Sequence, residues 1–183
     1  MGNNLFLTGD IGAGKSTIIK NLVKDINGDI GGFVVVMSGE KYNWNSFFIL
    51  PASYCEDKNL NRFNSSEDSI IAKKGDNFIM INKEVFDDYG LDLLSNYREK
   101  DIIIMDELGR FELKAKKFQN KVFEILKSNI LVLGVIKKEK NIFLNKVREI
   151  LNNKELLVTK ENREEIYKMV KDRFYELRGI NYD

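Results

Sequence analysis

The chain contains no histidine and a single cysteine, Cys55, in 183 residues. Without histidine, an imidazole base, a Ser-His nucleophile pair and a histidine-ligated metal are all excluded. One thiol makes neither an intrachain disulfide nor a thiolate zinc cluster. The one proline, Pro51, ends a strand-like run. Neither sign of charge dominates, since 29 basic and 28 acidic residues leave a net charge of +1. A nucleic-acid binder usually carries a marked positive excess, so nucleic acid is not the expected partner. No apolar run is long enough to span a membrane. No leader pattern precedes Leu5, and a cytoplasmic protein without a membrane partner is the expectation. The length and a hydrophobic content of 43% suit one α/β domain over residues 1–183 with a core of its own.

What the chain does have is concentrated near its start. Gly9-Asp10-Ile11-Gly12-Ala13-Gly14-Lys15-Ser16-Thr17 follows the apolar run Leu5-Phe6-Leu7 and leads into a helical pattern. This is the phosphate-binding loop G-x-x-x-x-G-K-S in its strand–loop–helix setting. Its glycines allow a tight turn whose backbone N–H groups converge on an anion. The helix that follows presents its free N–H groups and positive dipole end to the same phosphates. Lys15 is expected to bridge the β- and γ-phosphates, and Ser16 to ligate Mg²⁺ through its hydroxyl. The expected ligand is therefore a nucleoside triphosphate, ATP or GTP, with Mg²⁺ as cofactor. Ile18, Ile19, Leu22, Val23 and Ile26 recur at helical spacing, and Asn27-Gly28 reads as the stop.

Further along, Leu5–Thr8, Phe33–Met37, Ile102–Met105 and Ile130–Val135 are continuously apolar, as in parallel strands covered on both faces. Helical stripes lie between them: Phe118, Val122, Ile125 and Leu126, then Phe143, Val147, Ile150 and Leu151. A last helix is predicted from about Glu161 to Leu177, with Ile166, Met169, Val170, Phe174 and Leu177 inward and Thr159 as a cap. Between Gly31 and Ile81 the short apolar runs Phe47–Leu50, Ser69–Ala72 and Phe78–Ile81 read as antiparallel hairpins, with a turn at Lys41–Asn45. Asp57–Asp68 is polar and reads as a mobile loop. The fold expected is a three-layer α/β phosphate-loop NTPase fold, a mostly parallel sheet with an antiparallel hairpin extension.

The second chemical signal is Asp101-Ile102-Ile103-Ile104-Met105-Asp106-Glu107, an apolar strand that ends in adjacent carboxylates. Ligands gather at the carboxyl ends of parallel strands. Asp106 fits the metal-ligating role, and Glu107, diverging from it, is left to orient or deprotonate an attacking water. The plainer reading is that both acids only cap the helix after Gly109. Arg110 either offsets γ-phosphate charge or pairs with Glu107 or Glu112. Asn162 and Arg163 either contact the base or hold the domain together. Trp44, with Tyr42, Phe47 and Phe48, either stacks a nucleobase or packs the hairpin. Lys137-Lys138-Glu139-Lys140 reads as a solvated turn.

In sequence order, the phosphate loop, Gly32-Phe33, Asn82–Gly90, Asp106–Leu113 and Val158–Arg163 resemble the small P-loop nucleoside triphosphatases typified by the thermophilic and cancer-related enzymes. The resemblance implies hydrolysis of ATP, GTP and other nucleoside triphosphates to diphosphate and phosphate, slowly and with broad base preference. It implies nucleotide contacts over Gly9–Ser16 and around Ile103, Ile104, Met105, Asp106, Glu107, Leu108, Gly109 and Arg110. The chain departs from the family pattern at Lys137, where a histidine is frequent. No Asn-Lys-x-Asp run is present, which speaks against strict guanine specificity. Two other functions fit the same loop. A kinase would use Asp57–Asp68 as a lid and would need arginines such as Arg62 and Arg98. A nucleotide-dependent switch would bind a protein partner differently in its two nucleotide states.

Overall fold

A computed structural model describes residues 3–25, 28–40, 43–55 and 67–179. β1 (Asn4–Gly9) runs through the glycine-rich loop into α1 (Lys15–Asp25). β2 (Ile30–Glu40), β3 (Asn43–Pro51), β4 (Ile70–Lys74) and β5 (Ile79–Ile81) follow. The short helix α2 (Lys83–Val85) continues as a wider turn over Phe86–Gly90. Then come β6 (Ile102–Leu108), α3 (Lys116–Leu126), β7 (Leu131–Ile136), α4 (Ile142–Ile150), β8 (Leu156–Val158) and α5 (Arg163–Arg178).

Among the described residues eight strands form one sheet in the order β5-β4-β3-β2-β6-β7-β1-β8. From β2 to β8 every pairing is parallel, and from β2 to β5 every pairing is antiparallel. The mostly parallel sheet with an antiparallel extension is therefore present. The apolar runs mark strands because successive side chains on them point to opposite faces and both faces are covered. Ile103 and Met105 on β6 face one buried cluster with Phe118, Val122 and Phe143 of α3 and α4. Ile102 and Ile104 face the other with Ile19 and Leu22 of α1 and Val170 and Phe174 of α5. No helix among the described residues is long and apolar enough to cross a membrane.

Several boundaries differ from expectation. Asn43, Trp44 and Asn45 belong to β3 rather than to a turn, with Trp44 opposite Gly39. β8 is a parallel edge strand too short for its pattern to stand out. α5 begins at Arg163, because the Thr159 and Asn162 side chains tie the preceding turn together: Asn162 N donates to Thr159 Oγ1 (3.3 Å) and Thr159 N to Asn162 Oδ1 (2.7 Å). Met169 is 44% exposed, since it lies one position off the buried stripe of Ile166, Val170 and Phe174. Ile26, Asn27, Lys41, Tyr42 and residues 56–66, with Arg62 and most of the polar loop, lie outside the described residues.

Phe118 is fully buried between Phe33 and Phe86, at ring separations of 5.4 and 5.2 Å. Phe118→Ala is expected to cost about 3–5 kcal/mol of stability. Met169→Ala, on the exposed side of α5, is expected to stay within about 0.5 kcal/mol of wild type. Urea titration of both variants checks the contrast.

Candidate active site

The glycine-rich loop leaves the sheet where β1 passes β8. Gly9 has φ +147° there, and a Cβ on it would stand 2.3 Å from the Val158 carbonyl oxygen. Only glycine lets the two strands approach and the chain turn at this point. Gly14, at φ +104°, sets the turn into α1. Ala13 is buried and anchors the loop to the core, while Asp10 and Ile11 stand exposed on its rim. Lys15 opens α1 and lies inside the loop, only 8% exposed. Its Nζ donates to the carbonyls of Gly9 (3.0 Å) and Asp10 (2.8 Å). Burial pulls the Lys15 ammonium below the usual lysine range, with Glu107 and Asp106 opposing that shift.

Across from the loop, β6 carries Asp106 near its carboxyl end, where Ser16 Oγ donates to Asp106 Oδ1 at 3.3 Å. Asp106 is 6% exposed, and burial, aided by neighbouring Glu107, pushes its carboxyl up to about 7. Lys15 and Lys20 offset only part of the charge on this carboxylate. The hydroxyl of Ser16 and the carboxylate of Asp106 form an all-oxygen pair, and hard divalent cations prefer oxygen ligands, two from the protein and the rest from phosphate and water. The residues present therefore fit such an ion.

The β6 register shifts between Asp106 and Leu108, and Glu107 turns into the cavity in front of the loop. It has a partner there. Lys137 Nζ lies 2.8 Å from Glu107 Oε1. The capping reading fails: the helical turn Phe111–Lys114 starts after Arg110 with no side-chain cap. Glu112 is 1% exposed and its Oε2 accepts from Gly109 N at 3.1 Å, which holds the turn after β6 closed. Burial pushes this carboxyl, too, up to about 7. Asn141 caps α4 by accepting from Leu144 N (2.8 Å) and donates to the Gly109 carbonyl (3.3 Å).

The lysine run after β7 is not a plain solvated turn. Lys137 is fixed at its backbone: its N–H donates to Leu108 O (3.0 Å), and its carbonyl accepts from Arg148 (2.6 Å). Its side chain passes over the Phe111 ring to reach Glu107. Lys138 Nζ lies 2.8 Å from Asp10 Oδ1, which holds the Asp10 carboxyl below the usual range. The sequence signal for Lys137 was its place directly after a parallel strand, at the sheet's carboxyl edge. Arg110 is exposed, lies over the Phe111 ring at 5.6 Å and has no carboxylate partner among the described residues. Pairing with Glu107 or Glu112 is thus not how it is used.

One cavity of about 450 Å³ brings Lys15, Ser16, Glu107, Arg110 and Lys137 to a common space. Ile103, Ile104, Met105 and Leu108 are not brought to it, being fully buried in the two core clusters. A smaller cavity of about 200 Å³ opens on the other flank of the loop, beside Gly14, Thr17, Asn21, Arg163 and Tyr167. Arg163 is exposed there, whereas Asn162 turns inward and donates to the Leu157 carbonyl at 2.9 Å.

The profile of the NTPase family matches residues 4–171. The chain belongs to the NTPase family. The nucleoside-triphosphatase THEP1 of Methanocaldococcus jannaschii is 27% identical to it over 175 residues, covering 91% of this chain and 94% of that protein. Among solved structures, THEP1 of the hyperthermophile Aquifex aeolicus superposes with a TM-score of 0.67 at 23% identity, over 91% of this chain and 96% of that one. A human cancer-related nucleoside triphosphatase does so with a TM-score of 0.65 at 21% identity, over 91% and 94%. These two likenesses establish a shared fold. As an NTPase-family hydrolase the chain carries the phosphate loop and the Asp-Glu pair.

The two raised carboxyls make a pH prediction. Asp106 and Glu112 titrate near 7 when folded and near 4 when unfolded, so the folded state holds extra protons in that window. Stability of the ligand-free protein is therefore expected to fall as pH rises from about 5 to about 8. Glu112→Gln is expected to flatten that slope in thermal unfolding measured across the range.

Proposed function

We propose that the protein is a Mg²⁺-dependent nucleoside triphosphatase that releases phosphate from ATP, GTP and other nucleoside triphosphates, slowly and with little base preference. The observation that carries this reading is the meeting of Lys15, Ser16 and Glu107 at one cavity on the sheet's carboxyl edge, with Asp106 hydrogen-bonded to Ser16. The backbone amides of Gly9–Thr17 hold the phosphates, and Lys15 exchanges its loop carbonyls for the β- and γ-oxygens. Ser16 and Asp106 hold the magnesium ion, which when bound offsets charge on those oxygens. Glu107, steadied by Lys137, takes the proton of the attacking water at its carboxylate. Breadth follows from the missing guanine motif and from an exposed Arg163 beside the smaller cavity. Slow turnover is the expectation while Arg110 lies over the Phe111 ring. The setting is the cytoplasm, where such substrates and magnesium are abundant.

Phosphate release with ATP, GTP, CTP and UTP tests the proposal. Glu107→Gln is expected to lower kcat by about 100-fold or more with KM little changed. Lys15→Ala and chelation of divalent ions are each expected to abolish measurable turnover. Wild-type rates in Glu107→Gln would remove the glutamate from its role.

A further inference from the structure

The larger cavity is more than a triphosphate site requires. Beyond the phosphate loop its wall is aromatic: Trp44 and Phe47 of β3 contact each other at 4.8 Å, and Phe47 contacts Phe111 at 5.1 Å. Met37 of β2 completes this wall. Two cations border it. Lys137 is neutralised by Glu107 at 2.8 Å, so the glutamate does not repel an anion here. Arg110 is exposed over the Phe111 ring and keeps its charge without a carboxylate partner among the described residues. Tilted aromatic rings beside a guanidinium that has no carboxylate partner recognise a planar ring that carries an anionic group.

That ring is not the base of the triphosphate bound in the loop. The loop opens on two cavities. Glu107, next to the terminal phosphate where water attacks, lines the larger one. Gly14 and Thr17 line both cavities, and the ribose and base leave a triphosphate past them on the side of Arg163 and Tyr167, away from Glu107. An aromatic wall on the Glu107 side therefore faces a second molecule, in line beyond the γ-phosphate.

We propose that this aromatic lobe binds a nucleoside monophosphate, its base on Trp44 and Phe47 and its phosphate at Arg110. This rests on the nucleotide reading of the loop proposed above. Seated so, an oxygen of the monophosphate dianion takes the place of water. The bond between the γ-phosphorus and the β,γ-bridging oxygen breaks, and a bond from the γ-phosphorus to the monophosphate oxygen forms. The bridging oxygen leaves with its electron pair on the diphosphate. One triphosphate and one monophosphate become two diphosphates, with no net proton exchange.

Trp44 is the only tryptophan in the chain, so its fluorescence reports on the lobe. With the loop filled by Mg²⁺ and a non-hydrolysable triphosphate, AMP, GMP, CMP and UMP are titrated in turn. Nucleosides and inorganic phosphate serve as half-ligands. The proposal expects a saturable quench by at least one monophosphate and a weaker response to its nucleoside or to phosphate. With Mg²⁺ and ATP, the same radiolabelled monophosphate is expected to appear as diphosphate while phosphate release falls. Trp44→Leu is expected to weaken monophosphate binding by about 10-fold or more in equilibrium dialysis, with basal ATP hydrolysis retained. No saturable quench by any monophosphate overturns the proposal, as does reduced phosphate release without labelled diphosphate, which is simple competition for the loop. Basal hydrolysis without any monophosphate effect defeats this inference and leaves the triphosphatase reading standing, whereas absence of basal hydrolysis defeats the latter.

Discussion

A carboxylate buried at the end of a central strand needs a compensating charge, and Asp106 is placed in that position. It lies at the carboxyl end of β6, between β2 and β7, where little water reaches it. The hydroxyl of Ser16 is its direct partner, and the ammonium of Lys15 is close enough to act on it. The loop before α1 must therefore sit against the end of β6. That is possible because β1 lies two strands away, with only β7 between, and because Gly9 brings the chain close past β8. The same partly offset charge is what makes the pair Ser16 and Asp106 suited to a divalent cation.

The surroundings of Asp106 are held by backbone contacts more than by ion pairs. Glu112 closes the turn after β6 through the Gly109 amide, Asn141 grips the Gly109 carbonyl, and Arg148 fixes the chain after β7. Glu107 and Lys137 stand on this frame, facing each other across the cavity. An exposed ion pair adds little stability, so the value of theirs lies in orientation. The frame is built from α4 and the turn after β6, and the ion pair of Lys138 with Asp10 ties the chain after β7 to the loop.

Much of this was legible in the residues. The phosphate loop is a local device: its glycines, lysine and serine act within one turn, so their spacing alone shows it. The strands of the parallel half announced themselves because burial on both faces demands an unbroken apolar run. The hairpins between Gly31 and Ile81 were legible from short runs and turn residues. β8 was not, since an edge strand of this length leaves no periodic trace, and Met169 stands outside the buried stripe because a shift of one residue carries a side chain well round a helix.

The sequence by itself determined the ligand class, the fold class and the two carboxylates, since each rests on residues adjacent in the chain. Only the tertiary structure decided what surrounds them. Lys137 and Glu107 are far apart in sequence, and β6 and β7 must pair before one can neutralise the other. Ile103, Ile104, Met105 and Leu108 share the strand with Asp106 yet belong to the core, because alternation along a covered strand sends them to the two buried faces. Trp44, Phe47 and Phe111 come together because β3 lies in the same sheet as β6 and the turn after β6 folds back toward it. Such meetings are fixed by strand order, which no local pattern of residues encodes.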